Sequence, residues 1–115
     1  MTDVALKDRL DRHLEHAAMV RVLDEELGTH HGLSWADFVL LTTLDAAGGI
    51  APATEIAHTL RTSASRLLQQ LLPLEKIGLL ARAADDDGTR RVALRPQGRR
   101  RLYEARDTAA HACTV

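Results

Sequence analysis

Apolar residues recur every three or four positions over most of this 115-residue chain, the spacing that places side chains on one face of an α-helix. The first such stretch, Val4 to Leu27, predicts one long helix. Its apolar side is longer than a single small core can cover, so part of it is expected to contact a second subunit. We expect a turn over Gly28–Gly32. The stripe consists of Leu6, Leu10, Leu14, Ala17, Val20, Leu23 and Leu27.

A second helix is expected to begin at Ser34 and to end at Gly48-Gly49. Ser34 and Asp37 have the spacing of a capping box, in which each side chain accepts a hydrogen bond from the other's backbone N–H. Ile50–Pro52 then predicts a short extended link or a single strand. The apolar side of this helix consists of Trp35, Phe38, Val39, Leu41, Thr42 and Leu44.

Two helices separated by a tight turn come next. The first is predicted over Thr54–Leu60. The second begins after Ser63, a residue type that caps helix N-termini, and ends at Gly78. Because so short a turn prevents antiparallel packing around a shared core, the two helices form a helix-turn-helix whose second helix can enter a major groove. The apolar side of that second helix consists of Leu67, Leu68, Leu71, Leu74 and Ile77.

The solvent side of the second helix carries groups that can recognise DNA. Ser, Arg and Gln side chains bind base edges and phosphates, and no carboxylate occurs between Arg61 and Leu74. An ordinary solvated helix in an all-α domain would have a similar polar side, so this feature alone leaves both interpretations open. The candidate DNA-contacting residues here are Arg61, Ser63, Ser65, Arg66, Gln69 and Gln70.

Two short extended segments, residues 79–83 and 90–94, flank an Asp-Gly turn and predict a β-hairpin. A hairpin directly after a recognition helix is a wing. Because side chains alternate along a strand, at least one of Arg90 and Arg91 should point outward, toward a minor groove or a phosphate. Asp85–Asp87 lack the spacing of a calcium loop and are expected to hold these arginines.

Charge is divided unevenly along the chain, although its net value is only −1. Residues 1–60 contain four Lys/Arg and ten Asp/Glu, whereas residues 61–106 contain eleven and five. This division is typical of a polyanion-binding half joined to an acidic half. An acidic half that pairs with the basic half of a partner subunit is the alternative. We expect nucleic acid to be the partner.

Composition excludes several other classes of protein. With 45% apolar and 27% charged residues, the chain is expected to form one globular domain. Its single cysteine excludes an intramolecular disulfide, and we expect a cytoplasmic protein. No apolar run approaches the roughly 20 residues that a membrane span requires. No nucleophile–base pair, phosphate-binding loop or ligand-spaced His/Cys set is present. We therefore expect no enzyme activity, no cofactor and no metal site.

The chain resembles the MarR family of bacterial winged-helix regulators over about residues 30–102. The most specific segment is LEKIGLLAR (74–82), because family members close the recognition helix with Leu-Glu-x-x-Gly-Leu and continue into an Arg-bearing strand. The other similar segments are GLSWADFVLLTTL (32–44), EIAHTL (55–60), SASRLLQQL (63–71) and VALRPQG (92–98).

This resemblance implies a single, mainly α-helical domain with a small β-hairpin. A winged helix-turn-helix (33–95) would lie between dimerisation helices at 1–30 and 96–115. The resemblance further implies a homodimeric, sequence-specific transcriptional regulator, typically a repressor, that binds double-stranded DNA at a palindromic operator and responds to a small-molecule effector of unspecified identity. By position, Ser63, Ser65, Arg66 and Gln69 would face the groove, with Arg90 or Arg91 in the wing.

The alternative is a winged-helix protein-interaction module that has lost DNA readout. DNA insertion requires Ser63–Gln70 to be exposed, whereas packing of that segment into its own dimer would favour the alternative. Three departures from the family pattern bear on this choice. Arg61-Thr62 replaces the usual Gly and apolar residue, Pro73 lies inside the recognition helix and should kink it, and the wing is short.

Overall fold

The computed structural model describes residues 2–114 as five helices and three strands. The predicted fold class, mainly α with a small β-hairpin, is confirmed. Met1 and Val115, the outer ends of the predicted 1–30 and 96–115 helices, lie outside the described residues. In chain order the elements are α1 (Thr2–His31), α2 (Trp35–Ala46), β1 (Ile50–Pro52), α3 (Ala53–Thr59), α4 (Ala64–Lys76), β2 (Leu80–Ala84), β3 (Arg90–Leu94) and α5 (Pro96–Cys113).

The helix α1 is longer than predicted, because it continues through Gly28 to His31. The expected turn over Gly28–Gly32 was therefore wrong. Leu27 is fully buried and holds this end of the helix in the core. Its burial offsets the roughly 1 kcal/mol by which glycine disfavours a helix relative to alanine. The helix ends instead at Gly32, whose φ of +67° suits glycine, and the Leu33 N–H bonds to the Leu27 carbonyl at 3.3 Å.

The predicted apolar stripe of α1 is divided. Leu23 and Leu27 are buried, but Leu6, Leu10 and Leu14 are 57%, 53% and 65% exposed. Residues four apart are displaced by about 40° around a helix at each step, so a run of such spacings drifts away from the face that meets the core. The N-terminal half of α1 thus presents apolar side chains that nothing within residues 2–114 covers.

The core is one cluster of buried side chains from all five helices and the sheet. In α2 the buried residues are Leu40, Leu41 and Leu44, whereas Thr42, predicted on the apolar side, is exposed. The capping box of Ser34 and Asp37 is confirmed, with N···O distances of 2.9 and 3.0 Å. Of the helices between residues 2 and 114, none combines the length and apolar character needed to cross a bilayer.

The sheet is antiparallel with strand order β1-β3-β2. The Ile50–Pro52 segment, for which the sequence predicted an extended link or a single strand, is a strand. Its Ala51 pairs with Val92 of β3. Helix α5 follows directly with Pro96 at its first turn, as predicted. Its first turn lies so close to the residue before β2 that a Cβ atom at Gly98 would lie 2.0 Å from the Leu79 carbonyl oxygen.

Candidate nucleic-acid interface

The turn between α3 and α4 is closed by an arginine in a conformation that usually requires glycine. Arg61 has a φ of +55°. The Arg61 N–H bonds to the His58 carbonyl at 3.1 Å and the Thr62 N–H to the Ala57 carbonyl at 3.0 Å, the hydrogen-bond pattern of a Schellman motif. The Arg61 guanidinium also donates to the His58 carbonyl at 2.9 Å. The Arg61-Thr62 substitution therefore keeps a regular helix cap.

Helix α4 begins with the predicted cap. The Ser63 Oγ accepts a hydrogen bond from the Arg66 backbone N–H at 3.2 Å, and it lies 3.3 Å from the Ser65 Oγ. The first turn of α4 contains no acidic residue. Because unpaired N–H groups give a helix N-terminus partial positive charge, this end of α4 favours an approaching anion.

The polar side of α4 is open to solvent. We call Ser63, Ser65, Arg66 and Gln69 the base-reading face; all four are exposed, whereas Leu67, Leu71 and Leu74 on the opposite side are buried. Exposure of these four side chains is one condition that insertion into a DNA groove would require. Gln70 differs, because it is half-buried and its Nε2 donates to the Ala36 carbonyl at 3.0 Å. In the free protein Gln70 therefore joins α4 to α2.

Two residues predicted on the buried side of α4 are exposed instead. Leu68 is 38% exposed and Ile77 is 52% exposed. Leu68 is rotated by about 100° from Leu67, and this rotation places it at the flank of the helix beside the wing. There it lines a groove of about 970 Å³ between α4 and the hairpin, together with Ser65 and Arg90.

Pro73 does not end the recognition helix. Helix α4 continues to Lys76, and the Ile77 N–H bonds to the Pro73 carbonyl at 3.3 Å. The helix then closes with a Schellman motif at Gly78, whose φ is +84°. Pro73 itself is exposed, beyond the two N-terminal turns that carry the base-reading face.

One of the two wing arginines, Arg91, is bound by an aspartate of the same hairpin. Arg91 Nε donates to Asp85 Oδ2 at 2.5 Å, and this contact raises the pKa of the Arg91 guanidinium. The backbone N–H of Thr89 donates to Asp87 at 2.9 Å and lowers the pKa of that carboxyl group. The expectation that the aspartates hold the arginines is thus met at Arg91. Arg90 is exposed and forms no ion pair with any residue between 2 and 114.

A salt bridge that sequence reasoning missed fixes the hairpin against the recognition helix. Arg82 of β2 donates through Nε and Nη2 to Glu75 of α4 at 3.1 and 3.0 Å. Its backbone N–H bonds to the same carboxylate at 3.3 Å. Both residues lie within LEKIGLLAR, so the motif contained the signal, but only the fold brings Glu75 and Arg82 together.

Two arginines of α5 pair with a carboxylate of α2. Arg99 and Arg106 approach Asp45 at 3.4 and 3.1 Å. These two arginines tie α5 to α2.

Comparison with solved structures shows that the chain has the fold of MarR-family transcriptional regulators. Sco3205 of Streptomyces coelicolor, solved in complex with DNA, matches with a TM-score of 0.83 and 22% identity over 93% of this chain and 72% of its own. AbsC of the same organism matches with a TM-score of 0.81 and 20% identity over 92% and 74%. A mutant MarR from E. coli complexed with operator DNA matches with a TM-score of 0.80 and 19% identity over 92% and 75%. No family model matches the sequence, and no curated protein matches it.

Proposed function

We propose that this chain, which folds like the MarR-family regulators, is a homodimeric, sequence-specific DNA-binding transcriptional regulator and acts as a repressor. The observation that carries the proposal is the base-reading face. It is exposed on a helix that the core holds from behind, it carries no carboxylate, and a wing with an exposed arginine lies beside it. These are the parts that a major-groove reader requires.

The proposed contacts divide into two kinds. Arg61, Arg90 and Arg91 bind phosphates and supply salt-dependent affinity. Arg66 contacts both a phosphate and a base edge, and Ser65 and Gln69 contact base edges. Ser63 caps the helix and presents its hydroxyl group to a phosphate. Arg91 must exchange Asp85 for a phosphate, so Arg90 is the stronger wing contact. We assign Gln70 mainly to positioning, because its amide is already bound to α2.

The exposed leucines of α1 support the proposed dimer. Leu6, Leu10 and Leu14 are each more than half exposed, and a second copy would cover them at a two-fold axis. We accordingly propose residues 1–30 and 96–115 as the dimerisation helices around the winged domain at 33–95. Two-fold symmetry would place the two α4 helices in successive major grooves of a palindromic duplex, about 34 Å apart.

A bound dimer would cover about two turns of duplex, and repression would follow where that site overlaps a promoter. A small-molecule effector stays a prediction of the family resemblance. The alternative, a protein-interaction module that has lost DNA readout, requires α4 to be packed away. Exposure of the base-reading face supports the DNA-binding function instead.

The test begins with selection of duplexes from a random DNA library by the purified protein. The selected duplex is then titrated by fluorescence anisotropy. We expect two chains per duplex, a palindromic consensus, and binding at least tenfold weaker for Arg66→Ala. Lys76→Ala removes a cation from the last turn of α4, outside the proposed DNA contacts and dimerisation helices, and serves as the matched control, with unchanged affinity. Failure to select any duplex at low salt would contradict the proposal.

A further inference from the structure

The recognition helix exposes an apolar side chain that the proposed phosphate and hydrogen-bond contacts do not use. Leu68 is 38% exposed, whereas Leu67 beside it is 2% exposed. Transfer of an apolar side chain out of water is favourable, and the fold leaves part of Leu68 in water. We propose that Leu68 is a specificity-determining residue that contacts the C5 methyl group of a thymine in the major groove. This inference rests on the DNA-binding function proposed above.

Leu68 lies on the part of α4 that would enter the groove. Helices of this motif contact base edges through their N-terminal residues, and Leu68 is in the second turn of a helix that begins at Ala64. It follows Ser65 by three positions, so the two side chains are neighbours on the helix surface. A base edge that reaches Ser65 therefore also reaches Leu68.

The chemistry beside Leu68 suits a T·A base pair. Adenine presents a donor and an acceptor in the major groove, which a glutamine amide can pair, while thymine adds a methyl group that only an apolar side chain can recognise. Gln69 and Leu68 supply these two functions at adjacent positions. A guanine–cytosine pair would leave Leu68 without a methyl group to contact.

The surroundings of Leu68 favour a duplex as the occupant. The lining of the groove includes Ala64 of α4 and, from the hairpin, Ala84 and Arg90. The one carboxylate in the lining, Glu75, is neutralised by Arg82 at 3.0 Å. Apolar side chains and a cation in one groove match a base edge with its flanking phosphate.

Leu72 provides an internal control on the same helix. It is also a leucine and is 44% exposed, but it lies one turn farther from the helix N-terminus and does not line the groove beside the wing. Truncation of either side chain leaves Leu67, Leu71 and Leu74 in the core. Both alanine variants should therefore fold, as circular dichroism can verify.

The experiment replaces each thymine of a selected duplex in turn with deoxyuridine, which removes only the methyl group. Affinities are measured by fluorescence anisotropy at one salt concentration. For the wild-type protein we expect one thymine in each half-site whose replacement weakens binding about fourfold, the effect of one buried methyl group. Leu68→Ala should bind the thymine duplex and the deoxyuridine duplex with equal affinity. Leu72→Ala should keep the fourfold ratio between these two affinities.

Three results would overturn the role of Leu68 while DNA binding stands: no sensitive thymine with the wild-type protein, a ratio that persists in Leu68→Ala, or a ratio that Leu72→Ala abolishes. A wild-type protein that selects no duplex would overturn the proposed function, and the role of Leu68 with it. The failures of the two proposals are thus distinguishable.

Discussion

Asp45 of α2 and Arg106 of α5 form an ion pair of 3.1 Å that ties the last helix to the winged-helix core. The same carboxylate lies 3.4 Å from Arg99 and 3.3 Å from the Tyr103 hydroxyl. The Arg106 guanidinium also lies 4.2 Å from the centre of the Tyr103 ring. One half-buried carboxylate therefore joins three side chains of α5, a proposed dimerisation helix, to α2.

Replacement of Asp45 by asparagine should destabilise the fold, because two arginines lose their counter-charge. Since both arginine side chains remain about half exposed, water replaces part of the interaction, and we expect a loss of about 1 kcal/mol. Urea unfolding would measure it. Asp11→Asn removes the partner of an exposed i,i+4 pair and should change stability by under about 0.5 kcal/mol. Equal effects of the two variants would contradict a special role for Asp45.

Replacement of Arg61 by glycine should stabilise the fold and weaken DNA binding. Glycine adopts the left-handed conformation without the strain that a side chain experiences there, so we expect a gain of about 1 kcal/mol in the free energy of unfolding. The lost guanidinium should reduce the slope of log affinity against log salt by about 0.9. Gly78→Ala places a side chain at the equivalent cap of α4 and should destabilise the protein. If Arg61→Gly lowered the urea midpoint, the cap interpretation would be wrong.

Replacement of Pro73 by alanine should strengthen α4 without affecting DNA binding. Alanine restores the N–H group that bonds to the Gln69 carbonyl and removes the ring that crowds it, for a gain of about 1–3 kcal/mol in unfolding free energy. The change lies on an exposed position beyond the base-reading face. Urea unfolding and duplex titration test the two parts of this prediction. A large change in affinity would mean that Pro73 shapes the interface.

The two wing arginines should contribute unequally to DNA affinity. Arg90→Ala should reduce the salt slope by about 0.9, because its guanidinium forms no ion pair with any part of the described chain, residues 2–114. Arg91→Ala should reduce it less, since Asp85 competes with the phosphate. Asp85→Asn should release Arg91 and tighten binding at low salt. An unchanged slope for Arg90→Ala would remove the wing from the interface.

The helix boundaries that could be predicted from the sequence depend on residues within a few positions of each other. The Ser34–Asp37 capping box, the Ser63 cap and the Gly78 terminus are such local signals, and each is found in the structure. Gly28 is also a local signal, and it led to the wrong prediction of a turn within α1. Its local preference for a turn is overridden by burial of Leu27, which the sequence pattern does not express.

Residues whose role depends on long-range contacts could not be placed from the sequence. Leu68 fits the apolar repeat of α4 as well as Leu67 does, and only the packing shows which of them is exposed. Gln70 resembles Gln69 in type and position, yet the carbonyl of Ala36, 34 positions earlier, binds its amide. Asp45 lies 61 positions before Arg106 and shares no motif with it.

The central claim is that two copies of α4 enter successive major grooves of one duplex. Footprinting by methylation of guanine N7, an atom on the major-groove edge, tests it most directly on the selected duplex. The account predicts two protected segments whose centres are about 10 base pairs apart, both lost in Arg66→Ala. Unprotected guanines throughout a duplex that the protein binds, or a single protected segment, would contradict it.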